Sequence, residues 1–233
     1  MNTVAHPTYR QRIGYQAGLL GGFALVAAAM LVMGDIATRE TIAQREAEDL
    51  LASLAQVIPA SMHDNDLLAS TLSLAPHPAL DPESSEPQPD ATPTDEPIVV
   101  YRALQGLVVK AVAFEVVALG YAGPIRVLLG VDADGQVLGV RVLAHTETPG
   151  LGDKIEVARD DWIQSFDGRS LGNPTAVGWA VKKDGGIFDQ FSGATITPRA
   201  VVKAVKGGLD LFETHRDTLT ASAVMVEDLT TTN

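Results

Sequence analysis

The stretch IRVLLGVDADGQVLGVRVL, residues 125–143, carries the clearest signal of a fold in this sequence. Two runs rich in Val, Leu and Ile, at 125–131 and 137–143, flank the turn sequence DADG at 132–135. Aliphatic runs on both sides of an Asp-Gly pair are typical of a β-hairpin, because Gly adopts the positive φ that tight hairpin turns require. The stretch therefore predicts two antiparallel strands joined by a short turn.

Comparable runs lie on both sides of this hairpin. Residues 98–101 and 107–119 are rich in Val and Ala and predict further buried strands, so we expect the folded domain to begin near Ile98. A short helix is expected at 160–163 and another strand at 176–181.

A longer helix is predicted after these strands. Thr197 suits the N-cap and Pro198 the first helical position. Its apolar residues fall on one face of a helix: Val201, Val205, Leu209 and Phe212. Together these elements predict an α+β fold, a twisted and mostly antiparallel sheet with packed helices.

The N-terminal region predicts one transmembrane helix. Residues 13–34 contain no charge and would span roughly 33 Å as a helix, close to the hydrocarbon thickness of about 30 Å. A cleavable signal peptide is the alternative, but its apolar region is normally shorter. Because Arg10 and Arg12 precede the span and Asp35 follows it, we expect residues 1–12 in the cytoplasm and the bulk of the chain in the bacterial periplasm.

Two segments separate this span from the predicted domain. Residues 35–75 have recurring apolar positions and predict a juxtamembrane helical stalk, with helix expected over 36–73. Residues 76–97 contain seven prolines and six acidic residues, which favours an extended, self-repelling linker. We therefore expect the folded domain to occupy 98–216, followed by a tail at 217–233.

Composition excludes several classes of function. The net charge is −12 and the chain has no basic stripe, so nucleic acid is not an expected partner. The chain has no cysteine, which excludes disulfides, thiol nucleophiles and clusters or zinc bound to its own thiolates. Redox chemistry would therefore need a cofactor held by other groups.

The segment DQFSGATITP, residues 189–198, carries the strongest functional signal. It places hydroxyl groups on a turn of small residues, Gly193 and Ala194, immediately before a helix. The N–H groups and positive dipole end of a helix N-terminus suit a phosphate. An ordinary helix cap with a glycine turn is the alternative interpretation.

The run Ser192-Gly193-Ala194-Thr195, with Asp189 upstream, resembles the flavinylation motif Asp-x-x-Ser/Thr-Gly-Ala-Thr of FMN-binding domains. In that family, the threonine after Gly-Ala carries FMN through a phosphoester bond. The resemblance therefore implies that Thr195 carries covalent FMN.

Other segments resemble the G subunits of Rnf (Rsx) electron-transport complexes: ETPGLGDKI at 147–155, Trp162, WAVKKDGG at 179–186 and the single N-terminal span. This resemblance implies a complex that passes electrons between ferredoxin and NAD, or drives reduction of a redox target, coupled to ion movement across the inner membrane. The chain would be its periplasm-facing FMN electron carrier, a translocase subunit that is not catalytic alone. Its implied partners are the membrane and iron–sulfur subunits, and a flavin transferase for maturation. The long acidic segment 76–97 departs from the family pattern.

Further residues become candidate flavin contacts. Backbone N–H groups of Gly150 and Gly152 could face the flavin carbonyl edge while Leu151 packs on the ring, or this stretch could be a plain tight turn. Lys182 and Lys183 could compensate the phosphate charge, or form a solvated turn. The complete expected FMN-binding set is Thr195, Ser192, Gly193, Ala194, Thr197, Gly150, Leu151, Gly152, Lys182 and Lys183.

Two other features have simpler expected roles. His145 and Glu147 have a spacing compatible with a metal on a strand, but two ligands do not make a site, so we expect a surface pair and no metal. Trp162 and Trp179 could stack on flavin, but a core position is expected for both.

Two alternative functions remain at this stage. The C subunit of the sodium-pumping NADH:quinone reductase shares the FMN domain and topology, although the runs KKDGG and TITPR resemble the Rnf version more closely. The other alternative is a membrane-anchored scaffold without redox function, in which SGAT at 192–195 only caps a helix.

Overall fold

A computed structural model of the chain describes residues 9–74 and 97–222. Most of the predicted cytoplasmic N-terminus, the predicted linker up to residue 96 and the tail from 223 lie outside the described residues. The helices and strands are α1 (Tyr9–Val57), β1 (Thr71–Leu74), β2 (Ile98–Gln105), β3 (Val108–Leu119), β4 (Pro124–Asp132), β5 (Val137–Ala144) and α2 (Ile196–Leu219). Helix α2 thus runs past residue 216, where we expected the domain to end.

The five strands form one antiparallel sheet in the order β1-β2-β3-β4-β5. The predicted hairpin is confirmed as β4 and β5. Its turn is stabilised by Oδ1 of Asp132, which accepts hydrogen bonds from the backbone N–H groups of Asp134 (2.9 Å) and Gln136 (2.8 Å). Gly135 has a φ of 87°, the conformation that this turn requires of a glycine.

The helix predicted over residues 36–73 is wrong beyond Val57. Helix α1 ends there because Pro59 follows, and proline disfavours helical geometry in the residue before it. A single 3₁₀ turn then occupies Ala60–Met62, and Thr71–Leu74 forms strand β1.

The folded domain was expected to begin at residue 98, but strand β1 precedes that boundary and belongs to the same sheet. Leu74 pairs with Ile98, the first residue of β2. The Pro-rich acidic segment between these two residues is therefore a connection between paired strands, and both of its ends are held at neighbouring positions of the sheet.

The described residues form two units, which meet in sequence between Asp49 and Leu50. The first unit is the N-terminal part of α1. Helix residues Gly14–Val57 include a stretch long and apolar enough to cross a membrane, the one such stretch found in the described part of the chain. This apolar helix fits the predicted membrane anchor.

In the second unit, helices cover both faces of the sheet. The apolar face of α2 packs on one face, and its four predicted core residues are buried: Val201, Val205, Leu209 and Phe212. On the other face, the end of α1 packs through Leu54 and Val57. A side chain at Gly130 would lie 2.5 Å from the carbonyl oxygen of Val57, so glycine is what allows this close approach. The α+β expectation is confirmed.

The strand expected at 176–181 is wrong. Ala176–Gly178 is a 3₁₀ turn, and Val181 forms only an isolated bridge with Phe188. These residues have no neighbouring strand with which to build a ladder, so apolar composition alone does not make them a strand. The short helix expected at 160–163 is present as the 3₁₀ helix Trp162–Phe166.

Candidate functional site

Helix α2 starts before the position that the sequence predicts. Its first residue is Ile196 and Thr195 occupies the cap position, so Thr197 lies inside the first turn and is not the N-cap. The reason is tertiary: the Thr197 side chain is completely buried, and its hydroxyl donates a hydrogen bond to Oε2 of Glu147. A buried hydroxyl with a carboxylate partner is not available to cap a helix.

A cavity of about 470 Å³ lies beside the start of α2. Three segments form it: the turn between β3 and β4, the loop after β5, and the loop that leads into α2. The lining residues are Tyr121, Glu147, Thr148, Leu151, Gly152, Gly193, Ala194, Thr195 and Ile196. The volume lies within the range of about 300–1,000 Å³ that is usual for small-molecule sites.

Thr195 contributes a half-buried hydroxyl to the wall of this cavity. The hydroxyl makes no capping hydrogen bond to α2, and it has no other hydrogen-bond partner within residues 9–74 and 97–222. Gly193 has a φ of 83°, and a side chain at that position would lie 3.5 Å from the Leu151 side chain. The glycine thus lets the loop turn sharply and keeps the cavity beside Thr195 open.

The loop after β5 is a tight turn whose N–H groups are already bonded. Gly150 donates to Oδ1 of Asp153 (2.8 Å), and both Leu151 and Gly152 donate to the carbonyl oxygen of Thr148 (3.1 Å each). The expectation that these N–H groups face a flavin is therefore corrected, because the turn itself uses them. The Leu151 side chain is 43% exposed and lines the cavity, as packing on a ring requires.

The expected surface pair of His145 and Glu147 is also wrong. Glu147 is only 5% exposed, and its Oε1 accepts a hydrogen bond from the N–H of Ala122 (2.9 Å). Nδ1 of His145 accepts from the N–H of Glu147 (3.0 Å), and its Nε2 lies 2.6 Å from Oε1 of Glu156. Both side chains are thus held in polar networks. No group of three or more metal-ligating side chains is found in the described part of the chain.

Lys182, Lys183 and Ser192 are not part of the cavity wall. Nζ of Lys182 lies 2.6 Å from Oδ1 of Asp189, and both side chains are more than half exposed. Lys183 is exposed as well, and Ser192 lines a different, neighbouring depression. The lysines thus match the solvated turn that we named as the alternative.

The acidic residue after these lysines joins the turn to α2. Asp184 accepts two hydrogen bonds from the guanidinium group of Arg199, at 2.7 and 2.9 Å. The bonds to Arg199 hold the pKa of Asp184 below its ordinary value, against a smaller opposing effect of desolvation. This ion pair fixes the KKDGG turn on the first turns of the helix that follows Thr195.

The two tryptophans lie in the core, as expected. Trp162 and Trp179 are 7% and 6% exposed, and each pairs its indole N–H with a backbone carbonyl. Trp162 also makes edge contacts with Phe166 and Phe191. Neither tryptophan lines the cavity beside Thr195.

Tyr121 and Glu147 are wall residues whose place the sequence interpretation missed. Tyr121 is 72% exposed and lies in the turn between β3 and β4. A single exposed aromatic residue is common on protein surfaces, so the local sequence around Tyr121 carried no signal of a site. Nothing in the sequence near Glu147 indicated that this residue is buried.

Comparison with known proteins places the chain in a family. Residues 120–210 match the FMN-binding domain, and residues 1–57 match the RnfG N-terminal region. The chain is 57% identical over 204 residues to the G subunit of the ion-translocating oxidoreductase complex of Cereibacter sphaeroides, across 87% of this chain and 85% of that one. It is 45% identical over 211 residues to the corresponding G subunit of Stutzerimonas stutzeri, across 91% and 85% of the two chains.

Among solved structures, NqrC of Shewanella oneidensis is similar with a TM-score of 0.45 and 27% identity, covering 62% of this chain and 73% of that chain. The two relatives are matched over 87% and 91% of this chain, and the two family models cover the N-terminal helix and the three cavity segments. The chain therefore belongs to the family of G subunits of ion-translocating oxidoreductase complexes.

Proposed function

We propose that this chain is an FMN electron carrier in an Rnf-type complex, and that Thr195 holds the FMN through a phosphoester bond. The observation that carries the proposal is the difference between two neighbouring threonines. Thr195 presents an unbonded hydroxyl to a cavity, whereas the hydroxyl of Thr197 is buried and bonded to Glu147. Only the first can react without dismantling the packed structure.

The residues around the cavity fit FMN. Leu151 and Tyr121 offer apolar and aromatic surface for a planar ring. Because Gly193 has no side chain, a ligand in the cavity beside Thr195 can approach the backbone of this loop closely. A phosphate on Thr195 would lie at the N-terminus of α2, where the positive end of the helix dipole stabilises an anion. FMN would supply the redox chemistry, which the side chains of a cysteine-free chain do not.

Attachment requires a flavin transferase that acts on FAD. The oxygen of Thr195 bonds to the phosphorus on the riboflavin side, the P–O bond of the pyrophosphate breaks, AMP leaves, and the threonine loses its proton. Mg²⁺ in the transferase would neutralise the leaving phosphate. Gly193 and Ala194 make the loop narrow enough to enter that enzyme's site.

We place the domain in the periplasm, anchored to the inner membrane by α1. The apolar helix supports the anchor, and Arg10 and Arg12 before it support a cytoplasmic N-terminus. The expected partners are the other membrane and iron–sulfur subunits of the complex. The relatives are named as one subunit of a complex, which supports such partners.

Intact-mass measurement of two variants tests the attachment site. The full chain is produced in a host that flavinylates proteins, as Thr195→Val and Thr197→Val. The species heavier by FMN less one water is expected to vanish in Thr195→Val and to persist in Thr197→Val. The reverse pattern would identify Thr197 as the acceptor, and absence of the adduct from the unsubstituted chain would favour the scaffold without redox function.

A further inference from the structure

Glu147 is a buried acidic residue on the cavity wall, and its partners in the described part of the chain are neutral groups. It is 5% exposed and lines the cavity beside Thr195. Its two oxygens accept hydrogen bonds from the N–H of Ala122 and the hydroxyl of Thr197. Within residues 14–74 and 97–222, no lysine, arginine or histidine forms an ion pair with it.

The surroundings of this carboxylate are shaped to hold it. A side chain at Gly120 would overlap Oε1 of Glu147, and one at Gly152 would lie 2.8 Å from Oε2. Two glycines thus leave the space that the carboxylate fills. A buried charge that forms two hydrogen bonds in a fitted space but has no cation costs stability, and such a cost is typical of functional sites.

The same carboxylate joins the segments that form the cavity. Oε1 holds the turn of Tyr121 through Ala122, Oε2 holds the start of α2 through Thr197, and Glu147 itself belongs to the loop after β5. Thr197 and Ala122 thus share one partner. The geometry of the wall around Thr195 depends on that partner.

We infer that Glu147 is the positioning residue of the flavin site and that its uncompensated charge lowers the reduction potential of the flavin. This inference rests on the proposed attachment of FMN at Thr195. Reduction adds electrons to the ring, and an anion in a weakly polarisable wall of the same cavity opposes this added charge. A neutral residue of the same shape would leave the flavin easier to reduce.

Glu147→Gln separates charge from shape. The amide can accept from Ala122 and donate to the oxygen of Thr197, so the cavity is kept and only the charge is lost. The matched control is Asp210→Asn, which removes one negative charge from an exposed carboxylate on α2, outside the cavity and outside the network around Glu147. Flavin content is measured by intact mass, and the reduction potential by spectroelectrochemical titration of the purified full chain in detergent.

We expect Glu147→Gln to carry flavin and to shift the reduction potential of that flavin to a more positive value, with a much smaller shift in Asp210→Asn. An unchanged potential in Glu147→Gln, or a folded Glu147→Gln protein without flavin, would overturn the inference. If the unsubstituted chain carries no flavin, the proposed function fails, and this outcome is distinct from failure of the role of Glu147.

A second pair of variants tests the positioning role and does not need Glu147→Gln to fold. Thr197→Val removes the hydroxyl but keeps the charge, and Thr197→Ser keeps both. Because Thr197 reaches Ala122 through Glu147, we expect amide hydrogen exchange at Ala122 to become roughly fivefold faster in Thr197→Val than in Thr197→Ser. Equal exchange in the two variants, or a positive shift of the potential in Thr197→Val as large as in Glu147→Gln, would refute the inference.

Discussion

The hydroxyl of Thr197 donates a hydrogen bond to the carboxylate of Glu147, although the two residues are 50 positions apart in sequence. The bond connects the first turn of α2 to the loop after β5, at the wall of the cavity that contains Thr195. It explains why two threonines in one Thr-Ile-Thr run have different surroundings. Thr195 faces the cavity, and Thr197 connects two segments of the cavity wall.

This bond predicts a measurable loss of stability in Thr197→Val. Removing a buried hydroxyl that is bonded to a carboxylate should lower the free energy of unfolding by roughly 1.5–3 kcal/mol. Thr197→Ser should recover most of this lost free energy of unfolding. Thr195→Val should lower the free energy of unfolding much less, because the Thr195 hydroxyl has no capping hydrogen bond to lose. Denaturant unfolding of the flavin-free chains in detergent checks this. Equal stability of Thr197→Val and Thr195→Val would contradict it.

Gly130→Ala should destabilise the packing of α1 on the sheet. The new methyl carbon would lie 2.5 Å from the backbone carbonyl oxygen of Val57, which cannot rotate away, so the helix end must shift. We expect a cost of about 1–3 kcal/mol in the free energy of unfolding. Gly172→Ala is the matched control, since it would have nothing within 4 Å. Similar melting temperatures for the two variants would show that the contact is easily relieved.

Asp184 should titrate below its ordinary pKa of 3.8 because Arg199 bonds its charged form. Since the folded-state pKa is lowered, the stabilisation is present above pH 3.8 and is lost as the pH falls through the folded-state pKa. In an NMR pH titration of the carboxyl carbon, Arg199→Gln should raise this pKa, and Lys183→Gln should raise it less. A larger effect of Lys183→Gln would show that long-range charge, rather than the bidentate bond, is the cause.

Shortening the Pro-rich acidic segment should not destabilise the sheet. Its ends are held by the pairing of Leu74 with Ile98, so the residues between them close a loop. Roughly halving that loop should leave the melting temperature equal or slightly higher, since each halving lowers the closure cost by about 0.6 kcal/mol. A Gly/Ser replacement of the original length is the control for composition. A clear drop in melting temperature on shortening would mean that the segment packs on the domain.

The orientation in the membrane follows from Arg10 and Arg12 ahead of the apolar span. A reporter that is active only in the periplasm, fused after Asn233, should be active. Its counterpart that is active only in the cytoplasm should be inactive at the same site. Activity of the cytoplasmic reporter alone would reverse the proposed topology.

Several elements could be predicted from the sequence because their signals are local. The hairpin of β4 and β5 has its turn residues next to its strands, the apolar helix is visible as a long run without charges, and the apolar face of α2 is visible in residue periodicity. The run Ser192-Gly193-Ala194-Thr195 is contiguous as well, so the candidate attachment residue could be named before the fold was known.

Other features were decided only by contacts distant in sequence. Strand β1, at Thr71–Leu74, is four residues long and exists because β2 offers it a partner beyond the acidic segment. The run 176–181, which is as apolar as a strand, finds no partner and forms none. Burial of Glu147 likewise depends on the space left by Gly120 and Gly152 and on donors from two other segments. Strand pairing and the burial of a charge are set by which groups meet in three dimensions, and the local sequence does not contain that information.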